Sequence, residues 1–448
     1  MMIPIDQAIR ASISLNIAFT GAGGKTTALF QLAKILSKDS PVVVTASSHL
    51  GAWQVPLADK HLIVEPSTML EDLESKLQGI TLITGAFDGE RTKPLDEQTL
   101  DWLNIFCKNH SIPLLIEADG SRQKPLKAWA DHEPPLPSFV EQVVQLVGLS
   151  GLGKPLTDDV VHRAEIFSKL SGLKIGETIT PEALTRVLTH PDGGQKNIPP
   201  GARKIVLLNQ ADAPELQSVA HGMAHFLLQN FHSVIVSSLV REEIHAVHEP
   251  VAGIILAAGG STRYGKPKQL LDWRGQSFVR AVAMTALDAG LSPVIVVTGA
   301  NGEQVAAAVE DLDVKIVKNK EWKSGQSSSI KEGIKILTNP VSREKAGSAI
   351  FLLADQPQLT TSILHALVEK HAQRLYPIIA PMVLDRRANP VLFDRVAFSD
   401  LLTLEGDVGG RAIFHRHRVE YLPWHDDRML LDVDTPEHYQ RLISDETL

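Results

Sequence analysis

Residues 254–268 read IILAAGGSTRYGKPK, and the fold of the second half of the chain turns on that run. Its first four residues, 254–257, are an apolar segment long enough for a short buried strand. Gly259 and Gly260 then allow a tight turn and leave backbone N–H groups free to approach an anion. Arg263 and Lys268 add two cations able to neutralise phosphate oxygens. Outward from this loop, short apolar runs recur at 294–298, 315–318, 349–353, 378–380 and 430–433, with longer amphipathic stretches between them. An earlier series at 17–20, 42–45, 82–84, 114–117, 143–147, 205–209 and 234–236 has the same rhythm. Continuous apolar strands alternating with helices predict parallel sheets covered on both faces, so both halves read as α/β. The polar stretch 241–250, with two histidines and a proline, reads as the boundary between domains 1–247 and 248–448. A subdomain around 156–200 is a further reading of this half.

Chemistry follows from residue types at strand ends. Asp355 closes the run 349–353, where α/β proteins place their ligands, and a carboxylate there suits Mg²⁺. Asp432 or Asp434, beside the run 430–433, would complete the metal site; alternate strand residues face opposite ways, so one of the two reads as structural. The plainer reading of each aspartate is a turn cap. Mg²⁺ would bridge α- and β-phosphate oxygens while an acceptor phosphate attacks the α-phosphorus in line. Arg263 and Lys268 would stabilise the leaving pyrophosphate, which makes Arg263, Lys268 and Asp355 the catalytic candidates.

The pattern LAAG-x-S-x-R-x-G-x-x-K over 256–268 resembles the signature of MobA-like nucleotidyltransferases, in particular the molybdenum cofactor cytidylyltransferases. Further blocks agree across 252–448. Asn319, Trp322, Gly325, Gln326, Ser327, Ser328, Ser329 and Gly333 resemble the family's base and ribose segment. Asp355, Gln356 and Pro357 look like its ADQP motif, Asn389 and Pro390 its NPVLF segment, Gly406, Asp407, Gly409, Gly410 and Arg411 its GDxGAR segment, and Asp432 to Pro436 its DxDTP ending. The resemblance implies a Rossmann-like nucleotidyltransferase domain with a mostly parallel sheet. It assigns nucleotide contacts to Leu256, Ala257, Ala258, Gly259, Gly260, Ser261, Gly325, Ser328 and Ser329. Family members that use GTP commonly carry Gly where Ala258 stands, which favours CTP over another NTP, although one methyl discriminates by only ~1–3 kcal/mol. Tyr264 replaces a common Met, and Gly410 the usual Ala.

In the first half, the run 17–20 leads into Gly21, Ala22, Gly23, Gly24, Lys25, Thr26 and Thr27 and then a helix-like segment 28–36. This reads as a phosphate loop in a P-loop-type α/β domain, with Lys25 on phosphates and the Thr26 hydroxyl on Mg²⁺. It is shorter than a standard Walker A motif and looks more like the loop of Mur-type ligases. Asp119, after the run 114–117, is a second metal-ordering carboxylate. Asn209 and Asp212 resemble the NKxD guanine-reading element with Gln210 in place of lysine; a polar strand-end turn explains them equally well. With EADGSR at 117–122, KPLK at 124–127, HEP at 132–134, GLSGLGKPL at 148–156 and HRAE at 162–165, this half resembles a selenium-dependent hydroxylase accessory family. That resemblance places both halves in maturation of molybdenum hydroxylases. His49, His132 and His162 match no compact metal-ligand spacing.

Bulk properties bound the rest. With 448 residues, 44% hydrophobic and 21% charged, the chain is long enough for two cores. A formal charge of -8 gives no reason to expect nucleic acid as a partner. The single cysteine, Cys107, excludes an internal disulfide framework, and the absence of a long apolar run argues against a membrane; the expected address is the cytoplasm. The expected activity is transfer of CMP from CTP to the terminal phosphate of a molybdopterin-type cofactor, with an NTP-binding N-terminal domain and an apo molybdenum hydroxylase as downstream partner. Transfer to a sugar or polyol phosphate, and a nucleotide-gated cofactor carrier, are the alternatives.

Overall fold

The computed structural model describes residues 2–11, 16–65, 72–261, 264–339 and 346–444. The chain divides into two compact units, Met1–His248 and Glu249–Leu448.

In the first unit nine described strands form one sheet, in the order Glu243–His248, Ser233–Ser238, Arg203–Asn209, Gln142–Gly148, Asn16–Gly21, Leu114–Glu117, Val42–Ala46, Ile80–Thr84 and Lys60–Ile63. Neighbours are parallel except at one edge, where Ser233–Ser238 and Glu243–His248 are antiparallel. The central strands bury every residue, as continuous apolar runs in a doubly covered sheet should. Helices form where apolar spacing and caps agree. Asp96 accepts the Thr99 N–H at 3.0 Å to start Glu97–Asn109, and Thr180 accepts that of Ala183 at 3.2 Å ahead of Pro181–Thr189. Phe167, Leu184 and Val187 share one core with Val206, Leu208 and Val234, so residues 156–200 are not a subdomain with a core of their own. The stretch 241–250, read as the boundary between domains, supplies the first unit's edge strand Glu243–His248, in which Ile244, Ala246 and Val247 are buried while Glu243, His245 and His248 are partly exposed.

The second unit has an eight-stranded sheet among the described residues. Lys315–Lys318, Val294–Thr298, Val251–Ala257 and Ser348–Leu353 are parallel; Val391–Asp394 then pairs antiparallel with Ser348–Leu353 and with Ile378–Val383, which is joined by Arg386–Arg387 and Val419–Pro423. The run 430–433 is not a strand. Val419–Pro423 occupies the place beside Ile378–Val383, and a 3-10 turn, Asp427–Leu430, follows. Leu430 packs against the core that holds Leu352 and Ile363, while Val433 fills a second cluster with Trp273 and Phe278. The apolar demand of that run is met by two side-chain plugs, without a ladder. No described helix is long and apolar enough to cross a membrane.

Candidate functional site

In the second unit the central strand Val251–Ala257 ends in the glycine loop, and the next strand, Ser348–Leu353, delivers Asp355 just beyond its carboxyl end. The loop is held from beneath by a residue that its sequence pattern does not single out. Gln269, 4% exposed, donates its amide to the carbonyls of Ala257 (3.1 Å) and Gly259 (2.6 Å) and accepts from the Ser261 hydroxyl at 3.3 Å. Ser261, in the left-handed region at φ +50°, also accepts the Lys268 N–H at 2.9 Å. Gly260 lies against Trp322, whose ring would be 3.1 Å from any Cβ placed there. The only sequence signal for Gln269 is its position next to Lys268.

Lys268 is the centre of the arrangement. Its ammonium bridges Asp355 Oδ2 at 3.0 Å and Asp434 Oδ1 at 2.8 Å. Burial opposes its charge, but the two aspartates outweigh that and hold its pKa above the ordinary lysine value. Asp432 does not join this bridge: its Oδ1 accepts from the Gln356 amide at 2.7 Å. Burial, then the neighbouring Asp355 and Asp434, raise the Asp432 carboxyl above its usual range. The loop following Asp427–Leu430, and not strand alternation, separates the roles of Asp432 and Asp434. Among the described residues no three His, Cys, Asp or Glu side chains converge to hold a metal ion by themselves. Arg263 lies outside the described residues.

The second group of nucleotide candidates gathers at the start of the helix Gln326–Thr338. Gly325, at φ +112°, caps it, and a Cβ there would sit 2.4 Å from the backbone of Gly406 and Asp407. Asn319, 2% exposed, donates to the hydroxyls of Ser328 (2.8 Å) and Ser329 (3.0 Å), while Ser327 donates to the Gly406 carbonyl at 2.6 Å. The Gln326 N–H donates to Asp407 Oδ1 at 3.1 Å. The segments 319–329 and 406–411 are thereby tied together. Ala258 is buried, and its methyl would be 2.8 Å from a Cβ at Gly299. Leu256 and Ala257 lie in the strand that feeds the loop.

In the first unit Gly21, Gly23 and Gly24 all have positive φ, at +96°, +78° and +133°, and lead into the helix Lys25–Leu36. A Cβ on them would meet Leu146 O at 2.2 Å, Gly148 Cα at 2.5 Å and Asn209 Nδ2 at 2.4 Å. The buried Lys25 ammonium folds back on the Gly21 carbonyl at 2.6 Å and onto Asp119 Oδ1 at 3.3 Å. Asp119, 1% exposed, is not an open metal-ordering group. It accepts from Thr20 (2.8 Å), Gly21 N (3.1 Å), Trp129 Nε1 (2.9 Å) and Lys127 (2.8 Å). Burial resists its charge, yet Lys25 and Lys127 prevail and lower its pKa. Thr26 donates to Glu117 Oε2 at 3.1 Å, which makes Glu117 the carboxylate facing the loop. Thr27 is half-buried in the first turn of the helix.

Asn209 binds the protein itself: its amide donates to the Gly23 carbonyl at 2.7 Å and its oxygen accepts from Leu239 N at 2.9 Å and Ser237 at 3.2 Å. Asp212 is exposed and accepts from the Ser238 hydroxyl. Further along the network Lys127 also reaches Glu133 at 3.1 Å, and Glu133 is paired with Arg163, so the KPLK, HEP and HRAE segments meet in one place. Burial, then Arg163 and Lys127, push the His162 pKa down to about 4.

Residues 253–421 match the family described as the MobA-like NTP transferase domain, and residues 17–165 match the family described as YqeC protein. Nicotine blue oxidoreductase of Paenarthrobacter nicotinovorans is 33% identical over 205 residues, covering 43% of this chain and 96% of that protein. Protein YqeC of Escherichia coli strain K12 is 29% identical over 199 residues, covering 43% of this chain and 75% of that protein. The crystal structure of Rv0371c from Mycobacterium tuberculosis H37Rv is similar at 29% identity and a TM-score of 0.39, over 44% of this chain and 98% of that one.

Proposed function

We propose, from the premise that this chain belongs to the MobA-like NTP transferase family, that its second unit transfers CMP from CTP to the terminal phosphate of a molybdopterin-type cofactor and releases pyrophosphate. The observation that carries the reading is Lys268 held between Asp355 and Asp434 beside the glycine loop. An acceptor phosphate oxygen forms a bond to the α-phosphorus as the α–β anhydride bond breaks, and the electron pair leaves with pyrophosphate. Lys268 offsets the charge that accumulates on that leaving group, and the amides of Gly259, Gly260 and Ser261 cradle the phosphates. Ser328 and Ser329, oriented by Asn319, face the ribose and base.

Asp355 and Asp434 fit Mg²⁺: they already hold a cation between them in the form of an ammonium, and Mg²⁺ needs only one or two carboxylates beside phosphate oxygens. Bound there, it would supply further charge neutralisation. The first unit binds a nucleotide through Gly21, Gly23, Gly24, Lys25, Thr26 and Thr27, with Asn209 bracing the loop and Asp212 at the base, and assists maturation of a molybdenum hydroxylase in the cytoplasm.

The test is pyrophosphate release from CTP, GTP and ATP with Mg²⁺ and molybdenum cofactor. CTP-dependent release that Asp355→Ala abolishes and Lys25→Ala leaves intact supports the reading. No release with any of the three nucleotides would overturn it for this acceptor.

A further inference from the structure

Three non-glycine residues with left-handed backbone meet around the Lys127 and Glu133 network of the first unit. Arg122 and Gln123, at φ +50° and +60°, form the centre of a turn closed by the Lys124 N–H on the Ser121 carbonyl at 3.1 Å, and Arg163 is at φ +67°. Turns with two left-handed central residues ordinarily take Gly, Asn or Asp, and such strain in bulkier residues persists chiefly at functional sites. The Arg163 guanidinium turns back onto Glu133 and onto the Ala128 carbonyl at 3.3 Å. Arg122 is exposed and makes no hydrogen bond or ion pair among the described residues. His162 pairs in register with Lys127, and its carbonyl accepts the Ala128 N–H at 3.0 Å, yet its half-buried ring makes no hydrogen bond among the described residues. The charged groups that act most strongly on that ring are the cations Arg163, Lys127 and Arg122 and the carboxylate Glu133.

This cluster adjoins the glycine loop. The Pro125 carbonyl accepts the Gly148 N–H at 2.9 Å and would lie 2.9 Å from a Cβ on Gly23. Asp119 stands between the two groups of cations, taking Lys25 on Oδ1 at 3.3 Å and Lys127 on Oδ2 at 2.8 Å. The segment that carries Arg122 also leaves room: no atom lies within 4 Å of where a Cβ on Gly120 would sit.

We propose that Arg122 and His162, backed by Lys127 and Arg163, form the site of a second substrate of the first unit, a small molecule carrying a phosphate group. Asp119 and Glu133 are occupied by Lys25, Lys127 and Arg163, so the charge of Arg122 is the one left for a ligand. A free guanidinium fork takes two oxygens of an anion. Phosphate offers a third to the imidazole N–H, which a carboxylate held by the fork does not. Burial first, and the neighbouring cations after it, keep the ring neutral at neutral pH, with one nitrogen a donor and the other an acceptor. The role as a second-substrate site rests on the phosphate-loop reading of residues 21–27. The anion site itself does not.

The full chain labelled with ¹³C-histidine is titrated with inorganic phosphate at constant ionic strength, and the His162 ring signal, assigned by its loss in His162→Gln, is followed by NMR. A saturable shift is expected that persists in Lys25→Ala, and bound phosphate should move the ring's titration upward from about 4. Arg122→Gln, at an exposed position that leaves the fold intact, should weaken the apparent affinity about tenfold. Lys38→Gln, beyond the far end of the helix Lys25–Leu36, removes the same charge and should change nothing. No saturable shift, equal affinity in Arg122→Gln, or equal loss in Lys38→Gln overturns the site. Binding of a fluorescent triphosphate analogue is measured in parallel. Analogue binding that Lys25→Ala removes, with no phosphate response at His162, sinks the second-substrate site and keeps the loop reading; a phosphate response that Arg122→Gln weakens, with no analogue binding sensitive to Lys25→Ala, keeps the anion site and sinks the loop reading.

Discussion

One residue accounts for a departure from the family's usual pattern, and a second bears on the choice of base. Gly410 stands where the family carries Ala, and the structure gives the reason: a Cβ there would lie 2.7 Å from Cζ of Phe393, a fully buried ring. Gly410→Ala is expected to destabilise the second unit by about 1–3 kcal/mol, read from urea unfolding, and Phe393→Leu in the same chain should recover part of the loss. Ala258 presses a methyl toward Gly299 at the mouth of the loop. If the proposed CTP preference holds, Ala258→Gly is expected to narrow it over GTP by roughly tenfold in competition assays, since one methyl is worth about 1–3 kcal/mol. At this scale the sequence carried much of the site. Lys268, Asp355 and the glycines were legible because strand ends and loop chemistry announce them. Gln269 was not, because a glutamine acts here only through the carbonyls it ties together, and those are visible only in three dimensions.

Elements were legible where burial is two-sided and obscure where it is not. The fully buried strands Val42–Ala46, Leu114–Glu117 and Val294–Thr298 read as continuous apolar runs. The edge strands Lys60–Ile63 and Glu243–His248 are half polar, and Glu243–His248 has the composition of a linker. That edge has a thermodynamic signature. His248 sits against His221, with nitrogens 2.9 Å apart; burial first, and His221 after it, hold its pKa down to about 4. His162, elsewhere in the unit, is held equally low. The unfolded chain takes up these protons near pH 6.5 and the folded chain only near 4, so in that window unfolding gains protons and acid favours it. Stability of the first unit should therefore fall as pH drops from 6.5 to about 4. Melting temperatures of His248→Gln and His162→Gln should each show a shallower slope than the parent; an unchanged slope in both would refute the assignment.

For the molecule as a whole, two glycine loops at the carboxyl ends of two separate sheets predict two nucleotides per chain. Equilibrium dialysis with CTP and ATP together should give a stoichiometry near two, falling toward one in Lys25→Ala and toward one in a variant lacking both Asp355 and Lys268. The α/β class of each unit was readable from strand rhythm alone, whereas the antiparallel insertion of Val391–Asp394 was not, since nothing local distinguishes the direction of a short apolar run. The bridge from Lys268 to Asp355 and Asp434 has one more consequence. A tethered ammonium acts as a resident counter-ion, so any polyanion that arrives with its own cation enters by ion exchange and adds little net charge to the site. Exchange of that kind releases few salt ions, and binding at the second unit should be far less sensitive to ionic strength than the local density of charge suggests.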